Sequence, residues 1–332
     1  MLNLYQGSDN MKKKKKRIKK KKFKLYQKVL IGIGIFIGLV LLLLIIDYLR
    51  LNISYSMNKK NYRETFLIAG NTDNYIPQGM AYDEDKNIVL QTAYNKDDKA
   101  SKLYVIDFKK KKLIKELDLR DIDDNKDTRH VGGIATKNDT VWITSDYQVT
   151  EYSLNEIINT KNNYIKCLKQ RELPIRGDFC YADNSNLWIG DFYLRPFYPV
   201  PNNTPLLFQY ELENINYQEP NLAISLPKMV QGMTDTDNNE FVFTRSFTNL
   251  IKSDLVTYKN VLNSKPDNYK INGNNIPYYH FTKKDIVKHE KLPPMAEGIF
   301  TKDNELYISF ESSSDHYFYA YPKLYKVIKK KY

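Results

Sequence analysis

One phrase recurs five times in this chain of 332 residues, and it limits the possible folds more than any other feature. Laid without gaps on their apolar cores, the copies read "NIVLQTA" (87–93), "TVWITSD" (140–146), "NLWIGDF" (186–192), "EFVFTRS" (240–246) and "ELYISFE" (305–311). One column holds Val89, Trp142, Trp188, Val242 and Tyr307; the next holds Leu90, Ile143, Ile189, Phe243 and Ile308. Upstream of each copy stands Gly79, Gly133, Asp178, Gly232 or Gly298, followed by Met, Ile or Phe. Between the two apolar runs lie "YDEDK", "TKND", "ADNSN", "TDTDNN" and "TKDN", which carry hairpin-turn chemistry. The glycine column, broken only by Asp178, predicts a strand pressed against its neighbours, where a side chain would clash.

Further strands follow in each unit, such as "KLYVIDF" with "KLIKELDL" and "PLLFQYEL" with "LAISLP", giving a period of about fifty residues. An isolated meander cannot bury both of its faces, whereas radial stacking of such units can. The pattern therefore predicts an all-β fold, a β-propeller. The last copy ends at "KLYKVI" with no outer strand to follow, and "ETFLIAG" (64–70) precedes the first copy with no partner of its own. The expectation is five four-stranded blades, with the N-terminal strand completing the last. The stretch 248–289 is long enough to hide an irregular sixth. Trp142, Trp188 and Tyr307 recur at one position, as blade-to-blade core packing requires.

Ahead of the repeats, charge and hydropathy separate sharply. Eleven lysines and Arg17 against Asp9 within residues 1–46 hold nearly all of the +12 formal charge, so the body is close to neutral and gives no reason to expect nucleic acid as a partner. The basic run precedes "VLIGIGIFIGLVLLLLII" (29–46), long enough to cross a hydrocarbon core of about 30 Å. A cleaved signal peptide is the rival reading, but its apolar region runs only about 7–15 residues. The expected order is a basic cytoplasmic tail (1–28), a transmembrane signal anchor (29–46), a linker (47–61) and an extracytoplasmic propeller (62–332), oriented by the lysines. "GIGIFIG" resembles a phosphate-binding loop only until its place inside the span is seen.

In an antiparallel hairpin the start of the first strand and the end of the second share one end. That end of the channel should collect Gln78, His130, Asp178, Gln231 and Glu297 from the first strands, and Asp146, Asp191, Arg245 and Glu311 from the second. This polar ring is either a ligand site or a solvated mouth. Carboxylate pairs such as Asp178 with Glu297, or Asp191 with Glu311, have the chemistry for glycoside hydrolysis, and with amide oxygens they have the chemistry to hold Ca²⁺. His130, His280, His289 and His316 show no zinc spacing, and no nucleophile elbow, P-loop or dinucleotide fingerprint occurs. Cys167 and Cys180 should lie too far apart to bridge and should be buried thiols. The aromatic, proline-rich stretch 191–205 interrupts the repeat, as a recognition loop or an ordered cap would.

The series "IPQGMAYD…IVLQTAY", "HVGGIAT…VWITS", "GDFCYA…LWIGDFY", "VQGM…FVFTRSF" and "AEGIFTKDNELYISFES" resembles a family of secreted or membrane-anchored propeller proteins of Gram-positive bacteria, from about Tyr75 onward. It is more distantly similar to lactonase-like and strictosidine-synthase-like propellers, whose Glu, Asn and Asp metal pattern has no residue-by-residue match here. The resemblance implies the fold and a location outside the membrane, and implies no activity. The resulting expectation is a binding or scaffold module for a cell-envelope ligand or protein. The alternative is an extracytoplasmic hydrolase of glycans, esters or lactones that works through the mouth carboxylates.

Overall fold

The computed structural model describes residues 24–58, 61–317 and 324–331; the lysine tract before residue 24 lies outside them. Helix α1 (Leu25–Asn58) carries the apolar run and extends it on both sides. Its segment Leu25–Arg50 is long and apolar enough to cross a membrane, as an anchor or as a signal sequence.

The remainder is a five-bladed β-propeller. A first strand, β1 (Arg63–Leu67), is followed by the first blade, β2 (Tyr75–Asp83), β3 (Ile88–Asn95), β4 (Lys102–Asp107) and β5 (Lys112–Arg120). The second blade uses β6 (Gly133–Lys137), β7 (Thr140–Ser145) and β8 (Gln148–Ser153). After the short helix α2 (Leu154–Asn159), strand β9 (Tyr164–Lys166) crosses back to pair in parallel with β5, and β10 (Lys169–Glu172) closes the second blade against β8. The third blade is β11 (Phe179–Ala182), β12 (Asn186–Gly190), β13 (Leu206–Glu211) and β14 (Leu222–Ser225).

The fourth blade starts with β15 (Val230–Asp235), β16 (Phe241–Arg245) and β17 (Ser253–Tyr258). The hairpin β18 (Asp267–Ile271) and β19 (Asn274–His280) then leaves it, and β19 adds in parallel to β14 of the third blade. Strand β20 (Ile286–Leu292) returns to complete the fourth. The long stretch 248–289 thus holds β17, the start of β20 and between them an inserted hairpin that widens a neighbouring sheet to six strands, and no sixth blade. The fifth blade is β21 (Ala296–Lys302), β22 (Glu305–Phe310) and β23 (Lys326–Lys331), and β1 supplies its outer strand by pairing Arg63 with Lys329 and Glu64 with Ile328.

The inner strands β2, β6, β11, β15 and β21 touch in that order and back to β2, enclosing the channel. A side chain on Gly79 would stand 2.7 Å from the Gly132 carbonyl, on Gly133 2.7 Å from the Cys180 nitrogen, on Gly232 2.7 Å from the Glu297 carbonyl and on Gly298 2.4 Å from the Met80 nitrogen. Each glycine therefore lets its strand close on the next inner strand. In the third blade the register places Phe179, one residue after Asp178, at the glycine position. Its partner is Gly190, where Thr144 faces Gly133 and Thr244 faces Gly232. A Cβ at Gly190 would meet the Phe179 ring at 2.2 Å. The pair has exchanged large for small across the hairpin, which is why the column breaks there.

Apolar clusters fill the seams between blades. Trp142 packs with Ile189 and Phe208 between the second and third blades, and Trp188 packs with Phe243 and Val256 between the third and fourth. Both indole nitrogens are satisfied, by Tyr217 Oη at 3.0 Å and Asp183 Oδ2 at 2.7 Å. Burying an aliphatic or aromatic side chain in such a seam contributes about 1.5–3 kcal/mol, so blades hold one another rather than standing alone. Cys167 and Cys180 are free and buried, in two different seams. Cys167 follows β9 and hangs from the first blade through its N–H to the Arg120 carbonyl.

Candidate functional site at the channel mouth

Three inner strands begin with a β-bulge, between Pro77 and Met80, between Val230 and Gly232, and between Ala296 and Ile299. A bulge leaves one residue unpaired and redirects its side chain. The residues set there are Gln78, Gln231 and Glu297, each directly before a column glycine. Gln78 is fully buried and Glu297 2% exposed.

Glu311 leaves the end of β22 and accepts a hydrogen bond of 2.6 Å from Gln78 Nε2, which also donates to the Pro77 carbonyl. Burial comes first in raising the Glu297 carboxyl well above its ordinary value, and the neighbouring Glu311 and Asp178 charges add to it. Burial likewise lifts Glu311 to about 7, with Gln78, Lys96 and the Tyr317 hydroxyl opposing. Two like charges sharing a buried site cannot both ionise cheaply. Around this pair, Gln78 Oε1, Glu297 Oε2, Ser312 Oγ and Ser313 Oγ are buried without a hydrogen-bond partner.

Asp178 and Asp191 are a different case. Asp178 accepts from the Phe192 N–H at 2.7 Å and pairs with Arg176 at 3.1 Å, while Asp191 accepts from the Arg176 N–H at 2.8 Å. Together they tie the start of β11 to the end of β12. Burial raises Asp178 to about 6, and burial with the adjacent Asp178 charge raises Asp191 to about 7. Asp191 thus sits with Asp178, and Glu311 with Glu297, while the expected coupling of Asp178 to Glu297 is present as well.

His130 lies at the rim, its ring 4.2 Å from that of Tyr94. The protein atoms around it, helped by Lys96 and Arg176 and opposed by Asp146, push its pKa down toward about 4, a shift moderated by the exposure of the ring at the rim. Arg245 does not join the cluster: its Nε donates to the Lys228 carbonyl at 2.8 Å and its Nη1 turns toward Asp254 on β17. Gln231 stays half-buried in its bulge.

The hairpin rule missed Tyr94, Arg176 and Tyr317. No second-strand residue was expected from the first blade, where β3 runs on to Asn95 and Tyr94 pairs with Ile76 at the mouth. The aromatic stretch 191–205 is split, with Phe192 and Tyr193 buried and Phe197 68% exposed against Phe247.

No protein-family model matches the chain, and no curated protein does. Among solved structures, the glutaminyl cyclase of Myxococcus xanthus superposes with a TM-score of 0.46 at 7% identity, over 81% of this chain and 96% of its own. A luciferin-regenerating enzyme gives 0.44 at 13% identity over 81% and 94%. A gluconolactonase of Xanthomonas campestris gives 0.40 at 8% identity over 81% and 94%. Similarities this low assign neither family nor activity, so the resemblance to Gram-positive propellers gains nothing from them. Among the described residues no group of three or more His, Cys, Asp or Glu is placed to hold a metal ion, and the calcium expectation finds no support in the geometry.

Proposed function

We propose that this chain is a membrane-tethered propeller held outside the cytoplasmic membrane, with residues 29–46 as anchor, that binds a cell-envelope ligand or protein through the mouth at Glu297 and Glu311. The reading rests on one observation: four buried polar atoms there, on Gln78, Glu297, Ser312 and Ser313, lack partners. Each such atom costs about 1–3 kcal/mol when left unpaired, and a ligand with hydrogen-bond donors and acceptors would recover that cost. The lysine-rich tail motivates the orientation, and protection of the propeller from protease added to intact protoplasts would contradict it.

A second reading has its own support. A carboxyl lifted to about 7 beside a second one also raised well above its ordinary value is suited to general acid–base work, as in a hydrolase. The two are separated with the detergent-solubilised chain, using soluble cell-wall fragments in a thermal-shift assay and chromogenic glycosides and esters in a turnover assay. A binding module shows a ligand-dependent shift that Glu297→Gln abolishes, and no turnover. Robust turnover lost in Glu297→Gln sinks the binding reading in favour of hydrolysis.

A further inference from the structure

At the opposite end of the channel the inner strands spread around a cavity of about 470 Å³, a size typical of small-molecule sites. Strand register puts Asp83, Thr136, Ala182, Asp235 and Thr301 on one level of its wall, one from each blade. Four of the five carry side-chain oxygen. Asp235 Oδ1 accepts from Tyr181 Oη at 2.5 Å, Thr301 Oγ1 donates to the Asp235 carbonyl at 2.7 Å, and Asp83 Oδ1 accepts from the Lys86 N–H at 2.9 Å.

Thr136 Oγ1 has no partner although the residue is only 8% exposed. Outside this level the lining is acidic, with Glu84, Asp85, Asp183 and Asp237, and its single base, Lys137, is bonded to Asn184 Oδ1 at 2.8 Å. Two residues earlier on their strands, Ile134, Met233 and Ile299 supply the apolar part of the lining.

We propose that this cavity is a second ligand site, independent of the Glu297–Glu311 mouth, and that it takes a small organic cation: a primary ammonium on a short apolar stem. The ammonium brings positive charge to the acidic rim and N–H donors to the Asp235 and Asp83 carboxylates and the Thr136 oxygen, while the stem lies on the apolar wall. A neutral alcohol brings one donor and no charge to the rim and so gains less there, and an anion is repelled by it. A bare metal ion fits less well, since among the described residues no group of three or more His, Cys, Asp or Glu is placed to hold one.

The test uses the full chain in detergent, titrated by calorimetry with n-butylammonium, 1-butanol and butyrate. Saturable binding is expected for n-butylammonium alone. Asp235→Asn should weaken it about tenfold, the equivalent of about 1.4 kcal/mol, and Thr136→Val about threefold. Glu297→Gln should leave it unchanged, which separates failure here from failure at the mouth. In case Asp235→Asn does not fold, the paired change Glu84→Gln with Asp85→Asn, at two exposed positions, should also weaken binding without altering unfolding of the free protein. The proposal is overturned by equal binding of 1-butanol, by no saturable binding of n-butylammonium, or by binding that survives the rim changes but not Glu297→Gln.

Discussion

Glu297 and Glu311 were legible in the sequence as members of a mouth, because strand ends are fixed by the hairpin turns. Their mutual pairing was not, since sequence spacing says nothing of which neighbours a bulge turns together. Arg245 shows the other limit: it does sit at the end of β16, yet it faces Asp254 across the ladder instead of the channel. The mouth also makes a prediction about pH. Glu311 moves from 4.5 to about 7, Asp178 from 3.8 to about 6 and Asp191 from 3.8 to about 7, with Glu297 moved in the same direction. In that window the folded chain holds protons that the unfolded chain has released, so their stabilisation, full below the unfolded values, is lost as pH rises. His130 works oppositely, from 6.5 down to about 4, but it is one group against four. Paired carboxylates held low, such as Asp254 and Glu290, act only at more acid pH. The urea midpoint should therefore fall from pH 5 to pH 7.5, and Glu311→Gln should flatten the fall, recovering at most about 3 kcal/mol at the upper end. A midpoint that rises across this range would remove the case for protonated mouth carboxyls.

At the scale of elements, the first two strands of every blade could be read because their columns repeat. The third and fourth strands were less regular, and two devices escaped notice. Strand β9 leaves its own blade to pair with β5, and the β18–β19 hairpin leaves the fourth blade for the third. Both are parallel additions at an outer edge, where no inner-strand packing imposes a pattern, so the sequence bears no periodic mark of them. The glycine column, in contrast, was readable and has a mechanical meaning. At Gly298 a Cβ would lie 2.4 Å from the Met80 nitrogen and 2.8 Å from the Gly79 carbonyl carbon, and both are backbone atoms that move only with the strand. Gly298→Ala should cost about 1–3 kcal/mol or more, because β2 and β21 must separate. Gly273→Ala, in a turn with open space and a φ of 85°, should be felt only as local backbone strain. Melting the two variants side by side checks this, and equal losses would mean that crowding between inner strands does not set the column.

At the scale of the whole molecule the ring depends on residues at its two ends in sequence. β1 pairs with β23, Thr65 Oγ1 donates to the Val327 carbonyl at 2.8 Å, and the Ile68 N–H donates to the Tyr325 carbonyl at 2.9 Å. Phe66 and Ile68 are 3% and 2% exposed in a seam that also holds Met80 of the first blade and Val242 of the fourth. The Ala69 N–H reaches Gln91 Oε1 at 3.0 Å, so the same segment joins the fifth blade to the first. Removing 63–70 would leave β23 with an unpaired edge and uncover apolar surface shared by three blades. Because each blade is buried chiefly by its neighbours, the loss should spread around the ring instead of fraying one end. A chain beginning at Asn71 should accordingly express poorly or melt far below one beginning at Asn58, in a single cooperative transition. If the two melt at the same temperature, the clasp between β1 and β23 is not what closes the propeller, and the ring must hold through the contacts of β2 with β21 alone.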